Sequence, residues 1–99
     1  MGNEEALTLV AKIFRALGNE GRLRILSLLK DGDCTVNQIV AATDLSQPLV
    51  SQHLRTLRQI DLVRGDRHGK EVVYSLADRH VAHVVEDAFV HVLEGDNNG

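Results

Sequence analysis

Apolar residues recur at helical spacing from the start of the chain. Between residues 4 and 17 they are separated by three- and four-residue steps, which predicts an amphipathic helix that ends before Gly18. Asn19 has the short polar side chain preferred at a helix N-cap, and it predicts a second helix that extends to Lys30. The chain therefore begins with two helices that each carry an apolar face.

Two shorter helices joined by a brief turn follow. Thr35 with Gln38 three residues later has the pattern of a capping box and predicts a short third helix. Ser46 predicts the cap of a fourth helix that reaches Gln59. The apolar positions of this fourth helix, which we expect to face inward, are Leu49, Val50, Leu54 and Leu57. Residues 35–59 are therefore predicted to form a helix-turn-helix.

The periodicity then changes to short β-branched runs. Residues 62–64 and 71–76 flank a Gly-rich basic segment and predict a β-hairpin with a basic tip, which would be a wing. Residues 78–94 return to helical spacing and carry more apolar surface than a terminal helix on a monomer needs. The predicted fold is mainly α with a small β-hairpin: one winged helix-turn-helix domain over residues 1–99, homodimeric through the helices at 4–17 and 78–94.

Charge is distributed unevenly along this pattern. The formal net charge is −3, but residues 47–74 hold five basic and three acidic residues, whereas residues 78–99 hold one basic and five acidic residues. The middle of the chain is therefore suited to a polyanion and the C-terminal segment to a cation.

The polar side of the fourth helix and the wing carry side chains that recognise DNA. Gln pairs with adenine, Arg with guanine, and Ser with bases or phosphates, while basic residues on a wing reach phosphates or the minor groove. The candidate DNA-binding residues are Gln47, Ser51, Gln52, Arg55, Arg64, Arg67 and Lys70. An ordinary solvated helix and loop is the alternative, but the order of short helix, turn, capped helix and basic hairpin favours double-stranded operator DNA as the partner.

Four segments resemble a known family across nearly the whole chain. They are LGNEGRLRILSLL from Leu17, LSQPLVSQHLRTL from Leu45, Leu62-Val63, and GKEVVYSL from Gly69. Their order and spacing are similar to those of the ArsR/SmtB metalloregulatory repressors. The resemblance implies a homodimeric winged helix-turn-helix that represses metal-handling genes and leaves its operator when metal binds.

The last helix carries the candidate metal ligands Asp78, His80, His91 and Glu94. His80 and His91 are eleven residues apart, so at about 100° per residue they lie within about 20° of one face. Their separation of ~16 Å along the axis exceeds the ~4 Å that two ligands of one zinc ion span. An antiparallel copy of the helix would set the first pair of ligands opposite the second pair of the other chain, which gives two equivalent sites per dimer. Asp78 is then required at the N-cap, where its carboxylate turns toward the stripe.

Two imidazoles and two carboxylates suit tetrahedral Zn(II), with Co(II) as a laboratory substitute. In the resembled family, the pattern D-x-H, ten residues, H-x-x-[H/E] on the last helix marks the zinc-sensing subset, and the four residues match it. His83 is interpreted as an extra ligand, a second-shell partner or a surface group; as a ligand it would make Ni(II) a rival. Cys34, a lone thiol read as a small buried apolar residue, argues against arsenite, cadmium or lead sensing at the third helix.

Two other function classes compete with a metal-responsive repressor. One is a winged-helix DNA-binding regulator that does not respond to metal, in which the C-terminal histidines are incidental. The other, a hydrolytic metalloenzyme, is disfavoured because four protein ligands leave no open position for water. The first residues carry acids before their apolar positions and no long apolar run, so neither a signal peptide nor a membrane span is expected; with a single cysteine, which fits a reducing compartment, a cytoplasmic location is expected.

Overall fold

The computed structural model describes residues 1–98, and the side chains of residues 1–95. Its elements, in chain order, are α1 (Asn3–Leu17), α2 (Glu20–Asp31), β1 (Cys34–Thr35), α3 (Val36–Thr43), α4 (Gln47–Gln59), β2 (Val63–His68), β3 (Glu71–Leu76) and α5 (Arg79–Asn98). The predicted fold class is confirmed: the molecule is mainly helical with a small antiparallel sheet. No helix within residues 1–98 is both long and apolar enough to cross a membrane.

Short polar side chains determine where the central helices begin. The side chain of Asn19 accepts the backbone N–H of the third residue into α2, and Ser46 does the same for α4. At α3, Thr35 Oγ1 accepts from the Gln38 N–H at 3.2 Å while Gln38 Oε1 accepts from the Thr35 N–H at 2.9 Å. The predicted caps and capping box are confirmed, and each satisfies donors that a helix end leaves unpaired.

The sheet has one strand more than the predicted hairpin. β1 pairs with β3, with Cys34 opposite Tyr74, so the strand order is β1-β3-β2. A two-residue strand is too short to show alternation in the sequence, which is why the pattern did not predict it. The hairpin is also longer than expected: β2 continues to His68, and Gly69, at φ +66, makes the turn.

The core forms where α2, α3 and α4 pack against the sheet. Its fully buried members include Ile25, Leu26, Ile39 and Leu54. The prediction that Leu49 faces inward is wrong, because its side chain is 36% exposed and the buried stripe of α4 includes His53 instead, at 7% exposed. Leu49 immediately precedes Val50 and so points about 100° away from the centre of that stripe.

The C-terminal helix α5 extends beyond the core. Asp78 caps it, as predicted, because its Oδ1 accepts the N–H of Val81 at 3.1 Å. The helix passes its predicted end at Glu94 and continues to Asn98. Gly95 alone does not stop it, since this glycine lies in open space and glycine inside a helix is unfavourable rather than prohibited. Most of α5 therefore lies outside the packed interior of the chain.

Candidate nucleic-acid and metal-binding surfaces

The polar side of α4 presents the first group of predicted residues together. Gln47, Gln52 and Arg55 are exposed and Ser51 is half-buried, all turned away from the buried stripe of the helix. Gln47 Nε2 lies 3.4 Å from Ser51 Oγ, and this contact orients the amide toward its neighbour one turn later. The side of α4 that faces solvent thus offers amide, hydroxyl and guanidinium groups in adjacent positions.

The wing separates its arginines onto two faces. Arg67 is paired with Val72 and Arg64 with Ser75 in the β2–β3 ladder, and residues an odd number apart on a strand point to opposite faces. The single basic tip expected from the sequence is therefore divided, because residues 65–68 are strand rather than turn. Lys70 lies in the turn itself and is exposed.

A cleft of about 260 Å³ brings the wing next to the start of α4. Lys70 lines it from the wing and Gln47 from α4. Asn37, in the first turn of α3, lines the same cleft, although it was not among the predicted DNA-binding residues. Its place two residues after the capping Thr35 was a usable signal, since first-turn residues of a helix lie near the N–H groups that attract phosphates.

A second cleft lies at the other end of α4. Arg55, Arg58 and Gln59 line about 340 Å³ of open space there. Arg58 was not among the predicted DNA-binding residues, but it is one turn after Arg55 and is also exposed. The basic surface of α4 therefore extends to its C-terminal turn.

The four candidate metal ligands are all exposed on or beside α5, and one chain does not bring them together. Among the described residues, no three His, Cys, Asp or Glu side chains converge to hold a metal ion. Asp78 and His80 line a cavity of about 290 Å³ between α1 and α5, together with Leu17. His91 and Glu94 lie three turns further along the helix, beyond that cavity.

The stripe that carries these ligands has a further member. Asp87 is seven residues after His80, so at about 100° per residue it lies within about 20° of the same line on the helix. It is exposed, and it is four residues from both His83 and His91. The four-residue spacing of Asp87 to both histidines is visible in the sequence and is the signal that could have predicted it.

Large apolar side chains on α1 and α5 remain exposed. On α1, Leu7 is 65% and Phe14 is 59% exposed, and on α5 Val92 is 60% and Leu93 is 59% exposed. α1 contributes only one fully buried side chain, Ala16, to the core. Large apolar side chains left exposed on two helices are typical of an interaction site.

Cys34, which the sequence predicted to be a small buried residue, is only half-buried. Burial, and then the charge of Asp33, raise the pKa of Cys34 above its ordinary value. Because the thiolate is the form that binds metals, this environment disfavours Cys34 as a ligand.

Comparisons with known proteins agree on one family. The model of the arsR family of bacterial regulatory proteins matches residues 19–64. The transcriptional repressor SmtB of Mycobacterium tuberculosis is 42% identical over 90 residues, which cover 91% of this chain and 67% of that protein. A homologue of the cadmium resistance regulatory protein CadC from Staphylococcus aureus is 37% identical over 86 residues, or 86% of this chain and 71% of the relative.

The structural likeness covers almost the entire chain. The solution structure of a homodimeric winged helix-turn-helix DNA-binding domain from Mycobacterium bovis has a TM-score of 0.81 and 32% identity, and covers 98% of this chain and 90% of its own.

Proposed function

The chain is a member of the arsR family of bacterial regulatory proteins, and we propose that it is a metal-responsive transcriptional repressor. In this proposal a homodimer binds double-stranded operator DNA and is released when Zn(II) binds at the dimer interface. The observation that carries it is the separation of two unlike surfaces: a polar and basic one on α4 and the wing, and a His and carboxylate one on α5.

The DNA-binding part rests on the geometry of α4. Gln47, Ser51, Gln52 and Arg55 would read base edges in the major groove, since they share the solvent side of a helix whose other side is held in the core. Lys70 and Arg67 would contact phosphates from the wing, and Arg64 would do so from its other face.

The homodimer follows from the apolar surface that one chain leaves uncovered. Leu7 and Phe14 on α1, and Val92 and Leu93 on α5, would be buried against a second copy. The M. bovis relative is described as a homodimer, which supports the same assembly here. Closing the interface along α5 also provides what the metal site lacks in one chain.

The donor set fits Zn(II). Asp78 and His80 would bind it together with the partner's His91 and the partner's Glu94. A set of two imidazoles and two carboxylates matches the ligands zinc takes in tetrahedral sites, and it contains no thiolate for softer ions. Bound Zn(II) would supply a four-coordinate centre that joins the two chains. The name of the CadC homologue, which refers to cadmium resistance, supports metal sensing in general.

A short backbone path connects this site to the DNA-reading helix. Ala77, next to Asp78, donates its N–H to the Leu62 carbonyl at 3.0 Å, and Leu62 donates its N–H to the Leu57 carbonyl of α4 at 2.9 Å. A displacement of Asp78 would therefore move the C-terminal end of α4. If the zinc-bound dimer holds its two recognition helices in positions unsuited to successive major grooves, DNA and zinc must weaken each other by the same factor.

The test is DNA binding with and without zinc. A duplex selected by the wild-type protein from a random-sequence pool would be titrated with protein in chelator and in stoichiometric Zn(II), at one stated salt concentration. We expect tight binding in chelator and release by zinc. Binding that ignores zinc would instead support the metal-independent regulator. His80→Ala is the matched variant: it should bind the duplex like the wild type and fail to be released.

A further inference from the structure

Arg22 contacts three elements of the fold at once. Its backbone N–H donates to the Asn19 side chain at the cap of α2, at 3.0 Å. Its Nε donates to the carbonyl of Ala16, near the end of α1, at 2.7 Å. Its Nη1 lies 3.5 Å from Nδ1 of His53 on α4. One half-buried side chain thus connects the helix with the uncovered apolar surface to the helix with the polar recognition side.

α1 has few contacts with the core, so the bond from Arg22 contributes to its position. Ala16 is the fully buried side chain that α1 contributes, and Ile13 and Leu17 pack only partly against the core. The bond from Arg22 to the Ala16 carbonyl holds the last turn of α1, where carbonyl groups lack helical partners. α1 is thus fixed at its C-terminal end, while its N-terminal turns project.

His53 is held equally closely on the other side. It is 7% exposed, and a Cβ added to Gly21 would lie 2.9 Å from its Nε2, so the ring packs directly against the backbone of α2. Only a residue without a side chain at position 21 allows this approach. The ring faces Arg22 with Nδ1, which can accept a hydrogen bond from the guanidinium only when it carries no proton.

We infer that Arg22 is a positioning residue that fixes the recognition helix α4 relative to α1, with Nδ1 of His53 as its acceptor. This inference rests on the proposed function, in which α1 belongs to the dimer interface and α4 reads DNA. In a symmetric dimer, the orientation of α4 relative to α1 sets the distance between the two recognition helices. Arg22 and His53 would therefore control operator affinity without touching DNA.

The environment of His53 favours the neutral imidazole, which is the form whose Nδ1 can accept a hydrogen bond from Arg22. Burial first, and then the Arg22 charge, lower the pKa of His53 below its ordinary value of 6.5. Arg22 is the charged group facing the ring from α2, and the buried residues that α3 and β2 contribute to the core, Ile39 and Val63, are uncharged. Acid would protonate Nδ1, abolish the acceptor and place two positive charges side by side, so operator affinity should decrease as the pH falls through this pKa.

The experiment compares four variants on the duplex selected by the wild type. His53→Leu removes the acceptor and should weaken binding about tenfold, the effect of losing one hydrogen bond to a charged group. Arg22→Met removes the donor together with the bond to the Ala16 carbonyl, so it should weaken binding at least as much. His53→Asn keeps an oxygen close to the position of Nδ1 and should bind like the wild type. Arg24→Met is the control, because Arg24 lies on the same helix but pairs only with exposed Glu20.

Three further readouts separate positioning from general damage. Thermal unfolding identifies the variants that are folded, and sedimentation should give the same dimer dissociation constant for all of them. The ¹⁵N shifts of wild-type His53 should show a protonated Nε2 and an unprotonated Nδ1. Affinity of the wild type should fall in acid, and that of His53→Asn should fall less.

The inference is overturned if Arg22→Met and His53→Leu bind as tightly as Arg24→Met, if His53→Asn is as weak as His53→Leu, or if dimer dissociation accounts for the loss. A protonated Nδ1 at neutral pH would also overturn it. Failure of the wild type to select any duplex would overturn the proposed function, and this inference with it.

Discussion

Helices α4 and α5 carry the two proposed functions, and they differ in how far one chain completes them. α4 has 13 residues and buries Val50, His53, Leu54 and Leu57. α5 has 20 residues, and among its described side chains only Val85 is fully buried. The recognition side of α4 is therefore held in place by the fold of one chain, whereas the ligand-bearing side of α5 depends on what covers it.

Because of this difference, mutations on the two helices should depend differently on protein concentration. Mutations of the buried side of α4 should lower the stability of the single chain, and their effect should not depend on protein concentration. Mutations on α5 should act through assembly, because a second copy must bury its apolar residues before the two ligand pairs can meet.

The largest effect is expected from the core of α4. Leu54→Ala should lower the free energy of unfolding by about 2–5 kcal/mol, since its side chain is only 1% exposed and leaves a cavity. Val92→Ala, on a side chain that is 60% exposed, should leave folding of the single chain nearly unchanged and weaken dimerisation instead. Denaturant unfolding at several protein concentrations measures both effects.

The concentration series also provides the decisive control. The deficit of Leu54→Ala should be the same at every concentration, and that of Val92→Ala should shrink as the protein is diluted and the dimer dissociates. If both variants lose the same free energy of unfolding in dilute protein, Val92 packs within its own chain and not against a second copy.

The next effect tests whether every zinc site takes one histidine from each chain. His80→Ala and His91→Ala homodimers should both lose zinc affinity. The loss should exceed about 100-fold, because removing a residue that only hydrogen-bonds a metal ligand already costs about 10–100-fold. After subunit exchange, the mixed dimer has one site without either histidine and one intact site. Titration of the mixture should therefore recover normal affinity at one site per mixed dimer.

A site built from one chain predicts the opposite. Every site in the mixture would still lack a histidine, and no tight binding would return. Either homodimer failing to bind the selected duplex in chelator would also contradict the separation of α4 from α5.

Two neighbouring residues of one cleft test which part of the surface recognises bases and which contacts phosphates. Gln47 and Lys70 both line the cleft between α4 and the wing. Gln47→Ala should cost about 1–3 kcal/mol of discrimination between base pairs, because it removes a base-edge contact. Lys70→Ala should weaken binding to all sequences alike and reduce the salt slope by about one. Titrations of matched and mismatched duplexes over a salt series distinguish the two, and a Lys70 variant with altered base preference would reverse the assignment.

The sequence predicted best what short-range chemistry determines. The caps at Asn19, Thr35 and Ser46 depend on contacts over three residues, so their positions could be predicted without knowledge of the fold. Strand β1 could not, because two residues show no period and their pairing with β3 is long-range. The inward assignment of Leu49 failed because leucine is more hydrophobic than histidine, yet His53 is the buried residue, and its burial depends on Gly21 and Arg22 of another helix.

The candidate site divides in the same way. Helical spacing placed His80 and His91 on one stripe, since that depends only on the residues per turn. It could not show that Arg64 and Arg67 point to opposite faces, because that depends on where β2 ends and the turn begins. Whether the ligand pairs meet across two chains is a property of assembly, and it stays a prediction.

The smallest effect separates the two roles of Asp78 at the start of α5. Its Oδ1 caps the helix through the Val81 N–H, and the same carboxylate is a proposed zinc ligand. Asp78→Ser keeps a capping oxygen but is a poor ligand, whereas Asp78→Ala has neither. The free energies of unfolding of the two variants should differ by about 1 kcal/mol, which is the usual contribution of an N-cap side chain. Both variants should nevertheless lose the same zinc affinity. Unfolding curves in chelator and zinc titrations of the same samples measure both quantities. If zinc affinity instead follows stability across the two variants, Asp78 acts only by shaping the helix end, and the site requires a different fourth ligand. Asp87, which lies on the same stripe and one turn before His91, and His83, one turn after His80, are the candidates by helical spacing.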